Sequence, residues 1–170
     1  REERMITEAL LKMIKDEDVA YVDIRFTDPR GKLQHVTVIA DEVDEDFLEE
    51  GFMFDGSSIA GWKSIEASDM KLMPDCDSAY IDPFYAEKTI CVHCSVVEPD
   101  TGEAYERDPR GTAQKAEAYL KSSGIGDVSY WGPEAEFFLF DDVRFSNSIN
   151  KVSYEVDAID ASWNTDTEYE

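Results

Sequence analysis

Basic residues are few in this chain beside its acidic ones. Lysine and arginine together number 16, against 39 aspartates and glutamates, and the formal net charge is −23. So acidic a surface repels phosphate backbones, which sets nucleic acid aside as a partner and leaves divalent cations as plausible ones. Most of the acidic residues read simply as a solvated surface. Cysteine is scarce as well: three residues are too few and too odd in number for a disulfide framework, which points to a reducing compartment. No apolar stretch approaches the roughly 20 residues that cross a bilayer. No signal peptide is visible, and the start, Arg1-Glu2-Glu3-Arg4, lacks an initiator methionine, as an excerpt of a longer chain would. What is present is enough to fold. Hydrophobic residues make up 42% and aromatics 12% of 170 residues, which suits one core or one and a half domains.

The periodicities divide the chain. Ile6, Leu10, Met13 and Ile14 share a helical face, predicting an amphipathic helix over 5–17. Ala20, Val22, Ile24 and Phe26 alternate with polar neighbours as a half-buried strand. Asp28-Pro29-Arg30-Gly31 suits a type I turn, and Leu33–Ala40 returns as the second arm of a hairpin. Val43–Glu50 reads as a short acidic helix ended by Gly51. Residues 51–64 read as a Gly- and Ser-rich loop, and Asp69–Asp82 as short strands broken by Pro74 and Pro83. Thr89–Val97 is the clearest later strand. Its Cys91-Val92-His93-Cys94 looks like a metal motif, but alternation sends the two cysteines to opposite faces, so they read as buried structural thiols. Asp108-Pro109 is a good helix start, with the helix running to about Lys121. Residues 146–170 carry no helical or strand period. The first hundred residues thus read as a compact α+β unit and the remainder as the opening of a second domain.

Two segments carry candidate chemistry. Gly132-Pro133-Glu134-Ala135-Glu136-Phe137-Phe138-Leu139-Phe140 reads as a strand buried on both faces with two carboxylates at its mouth. Residues two apart in a strand share a face, which would set Glu134 and Glu136 about 7 Å apart. They are either two solvated carboxylates or ligands of a divalent ion. Oxygen donors with no neighbouring His or Cys favour Mg²⁺ or Mn²⁺ over Zn²⁺, and two are too few to complete a shell. The other segment is Phe52-Met53-Phe54-Asp55-Gly56-Ser57-Ser58-Ile59-Ala60-Gly61-Trp62. Asp55 is either a turn-capping carboxylate or a functional group at a protected tip. The apolar flanks need something to pack on, another subunit being one option.

These segments together resemble bacterial type I glutamine synthetase. Phe54-Asp55-Gly56-Ser57-Ser58-Ile59 looks like that family's signature loop. Trp62-Lys63, Asp69-Met70, Leu72-Met73-Pro74-Asp75, Tyr105-Glu106-Arg107-Asp108-Pro109-Arg110 and Gly132-Pro133-Glu134-Ala135-Glu136-Phe137-Phe138 follow in the family's order. Ala161-Ser162-Trp163-Asn164 is similar to its long-insert form. The resemblance covers nearly the whole chain. It implies a β-grasp N-terminal domain over 1–105 and a truncated start of the antiparallel-sheet catalytic domain over 106–170. It implies ATP-dependent formation of glutamine from glutamate and ammonium through γ-glutamyl phosphate, in a cytoplasmic homo-oligomer. Glu134 and Glu136 would be metal ligands for Mg²⁺ or Mn²⁺, Glu136 near the glutamate and Glu134 near the nucleotide phosphates. Asp55 would bind ammonium and draw off its proton, with Ser58 supporting the loop, which in the family reaches a neighbouring subunit's site. Two other readings stand beside this one: a stand-alone β-grasp binding or regulatory module without catalysis, and a simple divalent-cation binder.

Overall fold

The computed structural model describes residues 2–164 apart from 65 and 67. The chain divides into two compact units, Arg1–Ser129 and Tyr130–Glu170.

The first unit is built on a six-stranded sheet. Its elements are helix α1 (Glu2–Asp16), β1 (Tyr21–Thr27), β2 (Leu33–Ile39), α2 (Glu45–Glu50), β3 (Phe52–Asp55), β4 (Asp69–Pro74), β5 (Tyr80–Asp82), β6 (Thr89–Val97) and α3 (Pro109–Ser123). The strand order is β2-β1-β6-β4-β3, with β5 also pairing β6. β1 and β6 run parallel, Tyr21 opposite Thr89, and every other pair is antiparallel. β6 is the central strand. Ile90, Cys91, Val92, Cys94 and Val96 are buried on its two faces, as a strand with neighbours on both sides requires.

Local sequence explains the joints. Asp28 closes the β1–β2 turn: Gly31 N–H donates to its carbonyl at 2.9 Å, and Arg30 and Lys32 N–H donate to its side chain at 2.9 Å. Asp44 caps α2 by accepting from Phe47 N–H at 2.8 Å. Gly51 ends α2 at φ +80°, and a Cβ there would stand 2.6 Å from the Leu72 carbonyl oxygen. Gly51→Ala therefore meets both a left-handed backbone and a backbone clash, and is expected to destabilise the unit by about 2 kcal/mol in urea unfolding.

Val22, Ile24 and Phe26 of β1, Met70 and Leu72 of β4 and alternate residues of β6 form one core with Leu10 of α1 and Leu48 of α2. The opposite side of the sheet is polar. Asp23, only 1% exposed, accepts from Arg25 Nε at 2.8 Å and Thr37 Oγ1 at 2.7 Å, and lies 2.7 Å from His35 Nδ1. Burial alone would raise its pKa; these partners outweigh that and hold it below the ordinary carboxylate value. Arg25 also reaches Asp82 and the Tyr80 hydroxyl, both at 2.8 Å, so β1 and β5 are tied across β6.

In the second unit β7 (Asp142–Ser148) and β8 (Lys151–Asp157) form an antiparallel hairpin in a segment whose later part the sequence reading left without a period. Asp157 Oδ1 closes its base, accepting from Trp163 Nε1 at 2.9 Å, Asn164 Nδ2 at 2.8 Å and Ala158 N–H at 3.0 Å. Residues 132–140, expected as a buried strand, have no regular structure, and Phe137, Phe138 and Leu139 are exposed. A strand exists only as one member of a ladder, and among the described residues none pairs with this stretch.

Candidate active site

The residues expected to form a protected loop at 51–64 begin instead as strand β3, paired to β4 with Asp55 opposite Asp69. Phe52 and Phe54 face inward, while Met53 and Asp55 face out. A single 3₁₀ turn, Gly56–Ser58, follows. Gly56 N–H donates to the Ser68 carbonyl at 2.7 Å, and a Cβ on Gly56 would come within 2.5 Å of Met70 Cγ, so the turn sits hard against β4.

The apolar flanks do not wait for another subunit. Ile59 and Trp62 are buried, and Trp62 packs on Phe26, Phe54 and Tyr105 at ring-centroid distances of 5.4, 5.9 and 5.5 Å. Burial of this aromatic cluster in the chain's own core gives the flanks, the exposed Met53 apart, a packing surface without a second subunit. What remains outward is the polar side: Asp55 and Ser58 are exposed.

Asp55 is held in one pose. Ser57 donates to its Oδ1 from both the backbone N–H at 2.8 Å and the hydroxyl at 2.6 Å. The Ser57 hydroxyl, the Ser57 amide and the Ser68 side chain keep the carboxyl below the usual aspartate range, against a smaller opposing effect of desolvation. Of the two serines in the turn, Ser57 is the one bonded to Asp55, while Ser58 stands at the end of the turn. The pattern Asp-Gly-Ser, an aspartate whose side chain bonds two residues on, was the available signal for Ser57. Beside Asp55 lies a recess of ≈ 550 Å³ whose lining includes Lys63, Glu66, Ser68, Asp69, Glu98 and Asp100. Four carboxylates against one ammonium make it a region that favours small cations.

Glu134 and Glu136 belong to the second unit and are exposed in the irregular stretch 131–140. Their oxygen donors suit a hard divalent cation. Among the described residues, no group of three or more His, Cys, Asp or Glu is placed to hold a metal ion, so the pair can give part of a shell and not the whole. Cys91 and Cys94 point to opposite faces of β6 as alternation dictates. Burial pushes the Cys91 thiol up to about 11 and raises that of Cys94 too, so both stay protonated at neutral pH.

Comparison with known proteins places these features. Residues 18–99 match the family described as glutamine synthetase, beta-Grasp domain, and residues 106–169 match glutamine synthetase, catalytic domain. The chain is 78% identical over 160 residues to a glutamine synthetase of Cereibacter sphaeroides, which covers 94% of this chain and 34% of that protein. It is 52% identical over 166 residues to that of Escherichia coli strain K12, covering 98% of this chain and 35% of the other. Among solved structures, Plasmodium falciparum glutamine synthetase superposes with a TM-score of 0.67 at 25% identity, over 89% of this chain and 29% of that one. The chain spans about a third of the length of the curated relatives it matches. With two of its family domains matched in order, and relatives this similar along nearly all of its residues, the chain belongs to the glutamine synthetase family.

Proposed function

We propose that the complete protein is an ATP-dependent glutamate–ammonia ligase, and that this chain gives its β-grasp region over 1–105 and the start of its catalytic region over 106–170. In the first step a γ-carboxylate oxygen of glutamate attacks the γ-phosphorus of ATP and ADP departs. In the second the ammonia nitrogen attacks the acyl carbon, the carbon–oxygen bond to phosphate breaks, and phosphate leaves with the electron pair. The observation that carries this reading is the Asp55 turn: an exposed carboxylate fixed by Ser57, inside the family's signature loop.

Asp55 docks ammonium as a cation. Its depressed pKa suits it better to holding positive charge than to keeping a proton, so its part in deprotonation is to pass the proton on as nitrogen attacks. Only the outward groups of the turn, among them Asp55 and Ser58, are left to face a neighbouring subunit's site in the homo-oligomer. Glu136 would hold a divalent ion near the glutamate and Glu134 one near the nucleotide phosphates. Mg²⁺ or Mn²⁺ there supplies compensation of the charge on phosphate and acyl oxygens during phosphoryl transfer. The protein works in the cytoplasm.

The complete chain, given glutamate, ammonium, ATP and Mg²⁺, is expected to form glutamine, while this 170-residue chain alone forms none above the blank. Glutamine from the short chain, or none from the complete one, overturns the proposal. Calorimetric titration of the short chain with Mn²⁺ is expected to give weak binding or none; tight binding would favour a simple cation binder.

A further inference from the structure

We infer that Arg107, backed by the Lys63–Glu98 pair, is a positioning group for the Asp55 turn, an inference that rests on the ammonium-docking role proposed for Asp55. The near end of the turn is fixed by its own sheet: β3 pairs with β4 up to Asp55 opposite Asp69, and Gly56 N–H donates to Ser68. Strand pairing stops there. The far end, from Ile59 through Trp62, has no ladder to lie on. Gly61 takes φ +86° with nothing near its Cβ position, so this corner is set by backbone conformation and not by packing on Gly61 itself.

Ile59 and Trp62 are anchored in the core, and the side-chain polar ties on this far end come from one later stretch, residues 98–107, between β6 and α3. Arg107 donates from one terminal nitrogen to the Gly61 carbonyl at 2.8 Å, with the Trp62 carbonyl 3.5 Å away. A guanidinium never loses its charge, and hydrogen bonds from it are about twice as strong as neutral ones. Lys63 Nζ then reaches both carboxylate oxygens of Glu98 at 2.8 Å and lies 5.1 Å over the Tyr105 ring. Tyr105 completes the arrangement by packing on Trp62 and donating its backbone N–H to the Val96 carbonyl at 2.9 Å. Three consecutive residues, 61–63, are therefore gripped by Glu98, Tyr105 and Arg107, which lie around the junction of the two family-matched regions. The Asp55 carboxylate is held in register by its own sheet at one end and by the entry to the catalytic region at the other.

Arg107 is itself largely exposed, its side chain 57% accessible, so its removal should cost position more than folding. The test uses the complete chain with Arg107→Ala, Arg107→Lys and Asp55→Asn. For Arg107→Ala the KM for ammonium is expected to rise about tenfold, since displacement of a reacting group by a fraction of an ångström has effects of that order. The KM values for glutamate and ATP should stay within about twofold and the thermal midpoint should hold. Arg107→Lys keeps a donor and loses the planar fork, and is expected to restore part of the ammonium KM. An Arg107→Ala enzyme with unaltered ammonium KM, beside an Asp55→Asn enzyme with a raised one, overturns the positioning role and leaves the Asp55 reading standing. An equal rise in all three KM values also overturns it. An Asp55→Asn enzyme unchanged toward ammonium removes the Asp55 reading, and this inference with it. Should Arg107→Ala not fold, the Arg107→Lys enzyme decides: a selective rise in ammonium KM supports the role, and none overturns it.

Discussion

Exchange of Asp55 for asparagine in the complete protein is expected to lower kcat/KM for ammonium by roughly 10²–10³-fold, the size of losing one fixed electrostatic contact to a charge in an active site. Asparagine keeps the shape. Its amide oxygen can still accept from the Ser57 N–H and hydroxyl, so the Gly56–Ser58 turn is retained and the change removes charge alone. The effect should therefore sit in the ammonium dependence, with glutamate and ATP much less affected. The pH dependence follows from the direction of the shift. A folded pKa below the ordinary aspartate value leaves the charge, and the stability it brings to the turn, in place above that value. Both are lost only as pH falls through the depressed pKa, so Asp55 itself imposes no loss of ammonium affinity between mildly acid and neutral pH. Steady-state rates with ammonium varied at fixed glutamate and ATP would decide this. A change smaller than about threefold would remove Asp55 from the site.

The second large effect is structural. Asp108→Ala is expected to destabilise the first unit by about 2–4 kcal/mol, measured as a shift in urea or thermal unfolding. Asp108 is 1% exposed and serves two elements at once. One oxygen accepts from Arg110 N–H at 3.0 Å and caps α3; the other accepts from the buried Val96 N–H of β6, also at 3.0 Å. Alanine removes a cap worth about 1 kcal/mol and strands a buried amide at a cost of about 1–3 kcal/mol. Asp108→Asn keeps one accepting oxygen and should cost distinctly less. Equal losses for the two substitutions would show that the carboxylate geometry is not what matters.

Features set by near neighbours in the chain could be read directly from residues. The Asp108 cap with Pro109 at the first helical position and the Asp28–Gly31 turn stand where spacing put them, because each depends on contacts a few residues away; the strand Thr89–Val97 was legible from its alternation, although its partners lie far off in the chain. The parallel pairing of β1 to β6 could not be read this way, since nothing near Tyr21 names Thr89 as its partner. The same reason explains 131–140: its apolar run is strand-like, but a strand is a property of a pair. Over 142–157 an alternating signal is present but faint. Val152, Tyr154 and Val156 alternate with Ser153 and Glu155, and the pairing of Val143 with Val156 and of Phe145 with Tyr154 completes the pattern, but the Ser-, Asn- and Asp-rich surroundings dilute it. At the candidate site the aspartate was visible and its surroundings were not. The large residues around Asp55 suggested a partner surface, whereas Phe26 and Tyr105, distant in sequence, supply the packing surface within the chain. Ser57 lies two residues from Asp55 and was within reach of the sequence pattern, whereas Arg107 and Glu98 act through contacts that only folding brings about.

The position of β6 in the sheet carries a consequence for how the protein is made. The strand that joins β1 to β4 is the last of the six to leave the ribosome, so neither the β1–β2 hairpin nor the β3–β4 pair can dock until about residue 97 has emerged. Until then two partial sheets present open edges, held apart by a loop whose closure must be paid in entropy before any of the β6 ladders form. The nascent chain is thus most exposed to edge-to-edge aggregation in this interval, and slower translation ahead of β6 would lengthen it.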